Sequence, residues 1–420
     1  MPSSFTTTEL YMAKSKTKKK KKSSGSSGGL KGFGGRSSSS TSSMKSSSTG
    51  GTIDRSQSSL KFYDYIQRNG GEANLKRVGL GYFPLQIGPT ENDIIQLRGV
   101  IALKDISKGE AIIDIPYEMA INLGRESADP TLPATTLLQK YCTWKSNSDG
   151  PPGDKEKGDY FAMLPTYMSD DCQGSTDFYS DTALNMLQCP SIVEETLSRR
   201  EMVAARYERD VLPMAQMSSN LYRWEERKED DDRDNIATQS HLQWASWIIT
   251  SRVLTVQGPP ESTTANRLLI PLIDMCNHDR DSPHMLTGRA MEGGSLKVVA
   301  GADIKAGDQI NIGYGGSVEG NDRFIQDYGF LDSGGSLELG KNKGKQLIIP
   351  EAYKIVARKL LGKGRVRMSV AEEEKMLDAI QATTLDDDIA LLASGKVTNN
   401  DERMALEYRI GVKRAYNALW

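Results

Sequence analysis

Leu269-Ile270-Pro271-Leu272-Ile273-Asp274-Met275-Cys276-Asn277-His278 is the stretch on which the reading of this chain turns. A hydrophobic run ends abruptly in Asp, Asn and His. Polar groups beside a buried strand need partners or a task. Alone, the stretch also reads as a strand whose Asn277 and His278 merely close a loop. A second unusual cluster follows: Gly307-Asp308-Gln309-Ile310-Asn311-Ile312-Gly313-Tyr314-Gly315-Gly316. Here an alternating strand ends in a tyrosine and two flexible glycines, a pattern that can aim a phenol into a cleft. Alone, it also reads as a rim tyrosine in a hairpin.

Around these clusters, strand-like spacing runs from Arg267 to Phe330. Upstream, residues from Phe62 to Leu123 also read as short strands, including Asp93–Leu103 and Ala111–Ile115, the latter closed by Pro116. Residues 131–237 read as helical. Ser180 is expected to cap Asp181–Leu187, with Pro190 ending or interrupting that helix. Ile192 to Leu212 continues in helical spacing. Ser240 is expected to cap a helix carrying Leu242, Ala245, Ile248, Ile249 and Arg252. Glu225 to Asp234 is a charge run, read as a solvated loop or helix end. After Pro350 the chain turns helical again. Gly362 is a stop, Ser369 to Glu372 a capping box, and Thr384 the cap of a helix ended by Gly395. A final helix is expected over Asp401–Trp420.

Composition narrows the function classes. Residues 1–60 carry eleven Lys/Arg against Glu9 and Asp54, whereas the remainder is acidic, so the body is no obvious nucleic-acid binder. The lysine-rich run from Lys14 to Lys22 and the Ser/Gly tracts after it cannot bury enough apolar surface to offset ordering, so residues 1–58 are expected to be a disordered basic tail. That run fits a nuclear signal, a polyanion-binding tail or a plain solubilising tail. The cysteines Cys142, Cys172, Cys189 and Cys276 form no CxxC pair, and His241, His278 and His284 are the only histidines, so no metal site is expected. No apolar run long enough for a membrane span and no secretory h-region is visible.

Taken together and in this order, the two clusters resemble the SET-domain protein methyltransferases, in the branch of the Rubisco large-subunit lysine methyltransferases and the actin-histidine methyltransferases. That branch carries Pro-x-x-Asp-x-x-Asn-His, matched by Pro271 to His278. An acidic strand ending in tyrosine follows, matched by Ala306 to Tyr314, and then Asp-Tyr-Gly-Phe, matched by Asp327 to Phe330. Arg98 to Glu110 looks like the opening strands. The resemblance covers about residues 72–420. It implies an α+β fold: a β-rich SET fold with a knot-like crossing, split by a helical insert and followed by an α-helical C-terminal domain. The implied segments are 59–125 and 240–335 for the SET parts, 126–239 for the insert and 345–420 for a substrate-binding helical domain.

The resemblance also implies roles. S-adenosyl-L-methionine would be the cofactor, held by Arg98, Gly99, Asn277, His278 and Arg252, the last as a guanidinium fork for the cofactor carboxylate. Tyr314 would be catalytic. Tyr328 and Phe330 would wall the substrate channel, with Asp274, Ile273 and Leu254 beside it. The family's Gly-x-Gly stands here as Leu97-Arg98-Gly99, with one glycine. Gly79-Leu80-Gly81 matches the letters but sits too early, which leaves an insertion or a remodelled loop.

The acceptor is expected to be a lysine of a non-histone protein. Histidine-modifying members place tryptophan and asparagine where Ile273 and Leu254 stand, and Leu254 offers no polar partner for an imidazole. Protein-histidine methylation is the alternative, and a catalytically degenerate SET scaffold that binds a partner protein is the reading of another class. The expected partner is a protein substrate, with no metal, membrane or nucleic acid, and the chain is expected to be monomeric. Cytoplasm or nucleus is the expected compartment, with a plastid left open by the resemblance.

Overall fold

The computed structural model of the protein describes residues 50–86, 94–127, 129–145, 157–167, 175–218, 221–224, 236–314, 321–331 and 370–417. The lysine run 14–22, the charge run 225–234, Gly315, Gly316, Pro350, Gly362 and Ser369 lie outside these residues.

Order begins earlier than expected. Strand β1 (Thr52–Ile53) pairs antiparallel with β2 (Val78–Gln86), Thr52 opposite Tyr82. Asp54 is buried and accepts hydrogen bonds from the Ser59 hydroxyl (2.6 Å) and the Ser56 amide (2.9 Å). Residues 50–58 are therefore part of the fold and not of a tail. The strand-like reading from Phe62 is also corrected: Gln57–Ile66 is helix α1, capped by Ser56, and a wide turn leads into α2 (Glu72–Leu75). Phe62, Tyr65 and Ile66 stand at i, i+3 and i+4 and are all buried, the signature of one helical face.

Beyond β2 the chain forms β3 (Ile94–Ala102), β4 (Ala111–Pro116) and β5 (Ile121–Arg125). The helical insert supplies α3 (Thr131–Lys145), α4 (Gly158–Phe161), α5 (Asp181–Met186), α6 (Pro190–Arg206) and α7 (Leu212–Met217). Ser180 caps α5 as expected, and Pro190 opens α6 at a position where its missing N–H costs nothing. Helix α8 (Gln239–Arg252) is capped by Thr238 and not by Ser240, which lies inside the first turn. The Thr238 side chain accepts from the backbone amide of His241, while His241 Nδ1 accepts the Thr238 amide at 2.8 Å, a reciprocal box that Ser240 cannot make.

The second β region holds β6 (Leu254–Gln257), β7 (Ala265–Leu269), β8 (Asn277–His278), β9 (Met285–Gly288), β10 (Ser295–Val299) and β11 (Gln309–Ile312). Three small sheets result, ordered β1-β2-β3-β11-β8, β4-β10-β9 and β5-β7-β6. Each pair is antiparallel except β11 with β8, where Asn311 faces Asn277 and Ile312 faces His278. Residues 321–328 correct the strand reading that ran to Phe330. They form a helical turn that widens to π spacing over Phe324–Tyr328 and is ended by Gly329 at φ 84°.

The tail forms α9 (Val370–Gln381), α10 (Leu385–Ala393) and α11 (Asn400–Asn417), with Thr384 capping α10 and Gly395 in the left-handed region just past its end, as expected. Its buried Met376, Ile380, Ala405, Tyr408 and Val412 share a cluster with Tyr179, Leu184 and Ile192 of the insert. The main core, built from β strands, α1, α3 and α8, is a separate cluster.

Candidate functional site

Three separate segments converge at the β8–β11 pair. The first is the turn that delivers β8. Leu272 sits at φ 66°, ψ -42°, fully buried and off the ordinary L-residue regions, a conformation that costs on the order of 1–3 kcal/mol where it is held. A 3₁₀ turn over Ile273–Met275 follows directly, with the Cys276 amide donating to the Ile273 carbonyl. The strained turn points Asp274 inward and lays Asn277 and His278 beside β11.

The second segment is β3. The Asn277 side-chain amide donates to the Arg98 carbonyl at 2.9 Å. A Cβ at Gly99 would lie 2.6 Å from Asn277 Nδ2 and 2.7 Å from Gln309 Nε2, so only glycine lets these two side chains close over β3. The groups that come closest to Gly99 are the Asn277 and Gln309 amides. Gly81 stands directly opposite Gly99 in the β2–β3 pairing. The Arg98 guanidinium turns to Asp54, 3.4 Å from Nε to Oδ2, and donates from Nη2 to Met163 Sδ at 3.4 Å.

The third segment is the end of α8. Arg252 Nη1 donates to the Asp274 carbonyl at 3.1 Å and stands 3.9 Å from its carboxylate. The Asp274 side chain has no exposed area. Neither of its oxygens, nor the Tyr160 hydroxyl, reaches full hydrogen-bond geometry with a partner among the described residues. Burial pushes the Asp274 carboxyl up to about 6, with Arg252 opposing it and the adjacent Tyr160 hydroxyl opposing it less. Burial, with the Asp274 charge adding to it, also lifts the Tyr160 phenol well above the ordinary range.

Tyr314 closes the site. Its amide donates to His278 Nδ1 at 3.0 Å, which leaves the proton of a neutral ring on Nε2, and its hydroxyl donates to the Cys276 carbonyl at 2.5 Å. Burial raises the phenol above its usual value, with Arg252 opposing, so Tyr314 is a neutral hydrogen-bonding group at physiological pH. Its ring stacks on Tyr328 at 4.9 Å and 25°, and Phe330 meets it edge-on at 6.4 Å. His278 lies 4.7 Å from Phe324 and 5.9 Å from Phe330.

Tyr314, Asn277, His278, Tyr328 and Phe330 are thus brought together, with Arg252 and Asp274 behind the Cys276 carbonyl. Ile273 and Leu254 are both buried, Ile273 in the turn that delivers β8 and Leu254 at the start of β6. Reading the sequence missed Gln309, Tyr160 and Phe324. Gln309 lay within the quoted second cluster, and Phe324 stands four residues before Tyr328. Tyr160 carries no local signal, because its place is set by packing of the insert. Gln309 Nε2 is buried without a hydrogen-bond partner among the described residues, and the Asp274 oxygens have the Arg252 charge and the nearby Tyr160 hydroxyl to meet them. The unpartnered Gln309 donor suits a polar ligand group. Among the described residues, no group of three or more His, Cys, Asp or Glu is placed to hold a metal ion, and no helix is long and apolar enough to cross a membrane.

A sheet whose late strand lies parallel beside the Asn-His pair and ends in a caged tyrosine defines the class as SET-fold. The SET domain family model matches residues 97–315, just over half of the sequence, and the chain belongs to the SET-domain family. The match opens beside Arg98 and Gly99 and closes just after Tyr314. Among curated relatives, the actin-histidine N-methyltransferase of Gallus gallus is 34% identical over 129 residues, 29% of this chain and 20% of that protein. The chloroplastic [fructose-bisphosphate aldolase]-lysine N-methyltransferase of Arabidopsis thaliana is 26% identical over 245 residues, 56% of this chain and 46% of that protein. The chloroplastic ribulose-1,5 bisphosphate carboxylase/oxygenase large subunit N-methyltransferase of Pisum sativum is 25% identical over 257 residues, 56% of this chain and 45% of that protein. The chain therefore spans less than half the length of these relatives. Two solved structures share the fold. One is the SET domain of LSMT bound to lysine and AdoHcy (TM-score 0.52, 17% identity, 87% of this chain and 90% of that one). The other is Rubisco LSMT bound to AdoMet (TM-score 0.51, 17% identity, 87% and 91%).

Proposed function

We propose that this chain is an S-adenosylmethionine-dependent protein methyltransferase whose acceptor is a lysine of a non-histone protein, with Tyr314 as its catalytic residue. The observation that carries the reading is the neutral Tyr314 phenol, fixed on the Cys276 carbonyl and enclosed by Tyr328 and Phe330. Bound S-adenosylmethionine supplies a methyl group on a positively charged sulfur. Arg252 suits its carboxylate, and the unpartnered Gln309 Nε2 suits one of its polar groups. Asn277, tied to Arg98 across Gly99, sets the spacing of the two strands between which it would lie.

The remaining residues act on the acceptor. An aromatic shell excludes water, and desolvation favours the neutral amine over the ammonium. Ring faces accommodate an ammonium or its methylated forms. The Tyr314 oxygen, held in place, orients the amine, and alignment of this kind is worth up to ~7–11 kcal/mol. Lysine is favoured over histidine because Leu254 and Ile273 are apolar and buried, with no side-chain acceptor to fix an imidazole tautomer. The segments 59–125 and 240–335 would form the SET parts, 126–239 the insert and 345–420 the substrate-binding part, with the start of the first moved back to include β1.

The test is calorimetric titration of S-adenosylmethionine into the full chain, beside Tyr314→Phe and Asn277→Ala, followed by a peptide array with labelled methyl donor. Binding that survives Tyr314→Phe and collapses in Asn277→Ala supports the reading. Transfer to histidine peptides alone sinks the lysine assignment. Absence of binding sinks the enzyme and leaves a partner-binding scaffold.

A further inference from the structure

Helix α6 carries Arg199 into the interior, where its side chain is only 14% exposed and three carboxylates surround it. Nη2 reaches Asp327 Oδ1 at 2.5 Å and Glu195 Oε1 at 3.2 Å, and Nη1 stands 3.8 Å from Asp177 Oδ2. Nη1 also donates to the Gln326 carbonyl at 3.3 Å. One guanidinium therefore grips two successive residues, Gln326 through its backbone and Asp327 through its side chain. The next residue is Tyr328, whose ring lies against Tyr314.

Two physical points separate this from an ordinary ion pair. Burying a charge cluster is expensive, and an apolar cluster of similar volume would hold the helix as well or better, so stability alone does not account for it. The segment it grips is also a π-spaced turn, whose wide backbone is less self-supporting than an α-helical one. The Ser175 hydroxyl adds a second bond to the Gln326 carbonyl (3.3 Å), and Glu195 is shared with Arg323 at 2.8 Å. The turn is thus fixed from the insert side.

We propose that Arg199 is a positioning residue for the acceptor pocket: by clamping Gln326 and Asp327 it sets the Tyr328 ring against Tyr314, so that the helical insert tunes acceptor binding. The role in acceptor binding rests on the methyltransferase reading above; the placement of the ring does not.

The full chain is labelled with 3-fluorotyrosine, and the Tyr328 and Tyr314 signals are assigned by their loss in Tyr328→Phe and Tyr314→Phe. Arg199→Ala is expected to shift both signals, because stacked rings shield one another. Arg199→Lys, which keeps a charge but loses the fork, should shift them less. With poly-L-lysine as acceptor, Arg199→Ala should raise KM between about 10- and 100-fold while S-adenosylmethionine binding changes less than about 2-fold. Should Arg199→Ala fail to fold, Asp327→Asn removes the shortest ion pair from the other side and is expected to give the same shifts. Unmoved tyrosine signals in a folded variant would overturn the proposal, as would loss of cofactor affinity in step with activity. If the parent chain transfers no methyl to poly-L-lysine, the acceptor reading fails separately and the fluorine spectra still decide the placement.

Discussion

Replacing Asp274 by asparagine tests the electrostatics of the site most directly. The carboxyl has no exposed area, and burial raises it from 3.8 to about 6. Its folded value lies above its unfolded value, so between about pH 4 and 6 the folded state holds a proton that the unfolded chain has lost. Stability therefore falls as pH rises through this window, and above about pH 6 the folded protein carries the full penalty of a buried charge. A shift of roughly two units corresponds to a penalty of about 3 kcal/mol. Asparagine keeps the shape and removes the charge. Part of the penalty is already present at pH 4.5, so Asp274→Asn should gain about 2 kcal/mol relative to the parent on going from pH 4.5 to pH 7.5. Urea unfolding of both proteins at the two pH values measures this, and the double difference cancels every other titrating group. A difference that does not change with pH, or that favours the parent at pH 7.5, would mean that Arg252 holds the carboxylate ionised and that the argument from burial is wrong.

Other expectations follow from the same contacts. Gly99→Ala forces the Asn277 amide off the Arg98 carbonyl, and should cost about 1–3 kcal/mol in thermal unfolding and weaken S-adenosylmethionine binding in calorimetry. Tyr314→Phe loses only the bond to the Cys276 carbonyl, so folding should change by about 1 kcal/mol, while methyl transfer in a labelled-donor assay drops at least about 100-fold. In the tail, Asp388 accepts from Arg409 and Lys413 at 2.6 Å each while all three are buried. Asp388→Ala would leave two buried cations unpaired and should cost about 3–5 kcal/mol, seen as loss of hydrogen-exchange protection over α10 and α11. Thr238→Ala removes the box at the start of α8 and should lower stability by about 1 kcal/mol in urea unfolding.

The sequence was most legible where local chemistry and tertiary demand coincide. Asn277, His278 and Tyr314 stood out because polar residues and flexible glycines end apolar strands, and the structure joins Tyr314 to His278 by a hydrogen bond while Asn277 reaches across to β3. Ser180 and Thr384 were readable as caps because each serves its own helix. The errors arose where distant partners decide. Ser240 looked like a cap, but the reciprocal bonds of Thr238 and His241 win by geometry. Phe62, Tyr65 and Ile66 carried the helical spacing of α1, yet the Gly and Asn residues after them gave the segment the look of strands and turns. The turn at 321–328 is held by Arg199, which lies more than a hundred residues earlier and reads in sequence as one more charge on a helix. The roles of Gly99 and Asp274 likewise depend on what closes over them.

The parallel pairing of β8 with β11, next to β3, has a consequence for the birth of the protein. The strand bearing Arg98 and the strand ending at Tyr314 are separated by just over two hundred residues, so at ~5–20 residues per second the ribosome needs roughly 10–40 s to supply the second after the first. During that interval β3 and β8 lack the strand that joins them, and the Gln309 and Tyr314 sides of the site do not exist. Contacts this distant in sequence also form slowly after release. The donor corner is therefore among the last parts of the molecule to be completed, and a nascent or truncated chain ending before Gln309 would be unable to assemble the site.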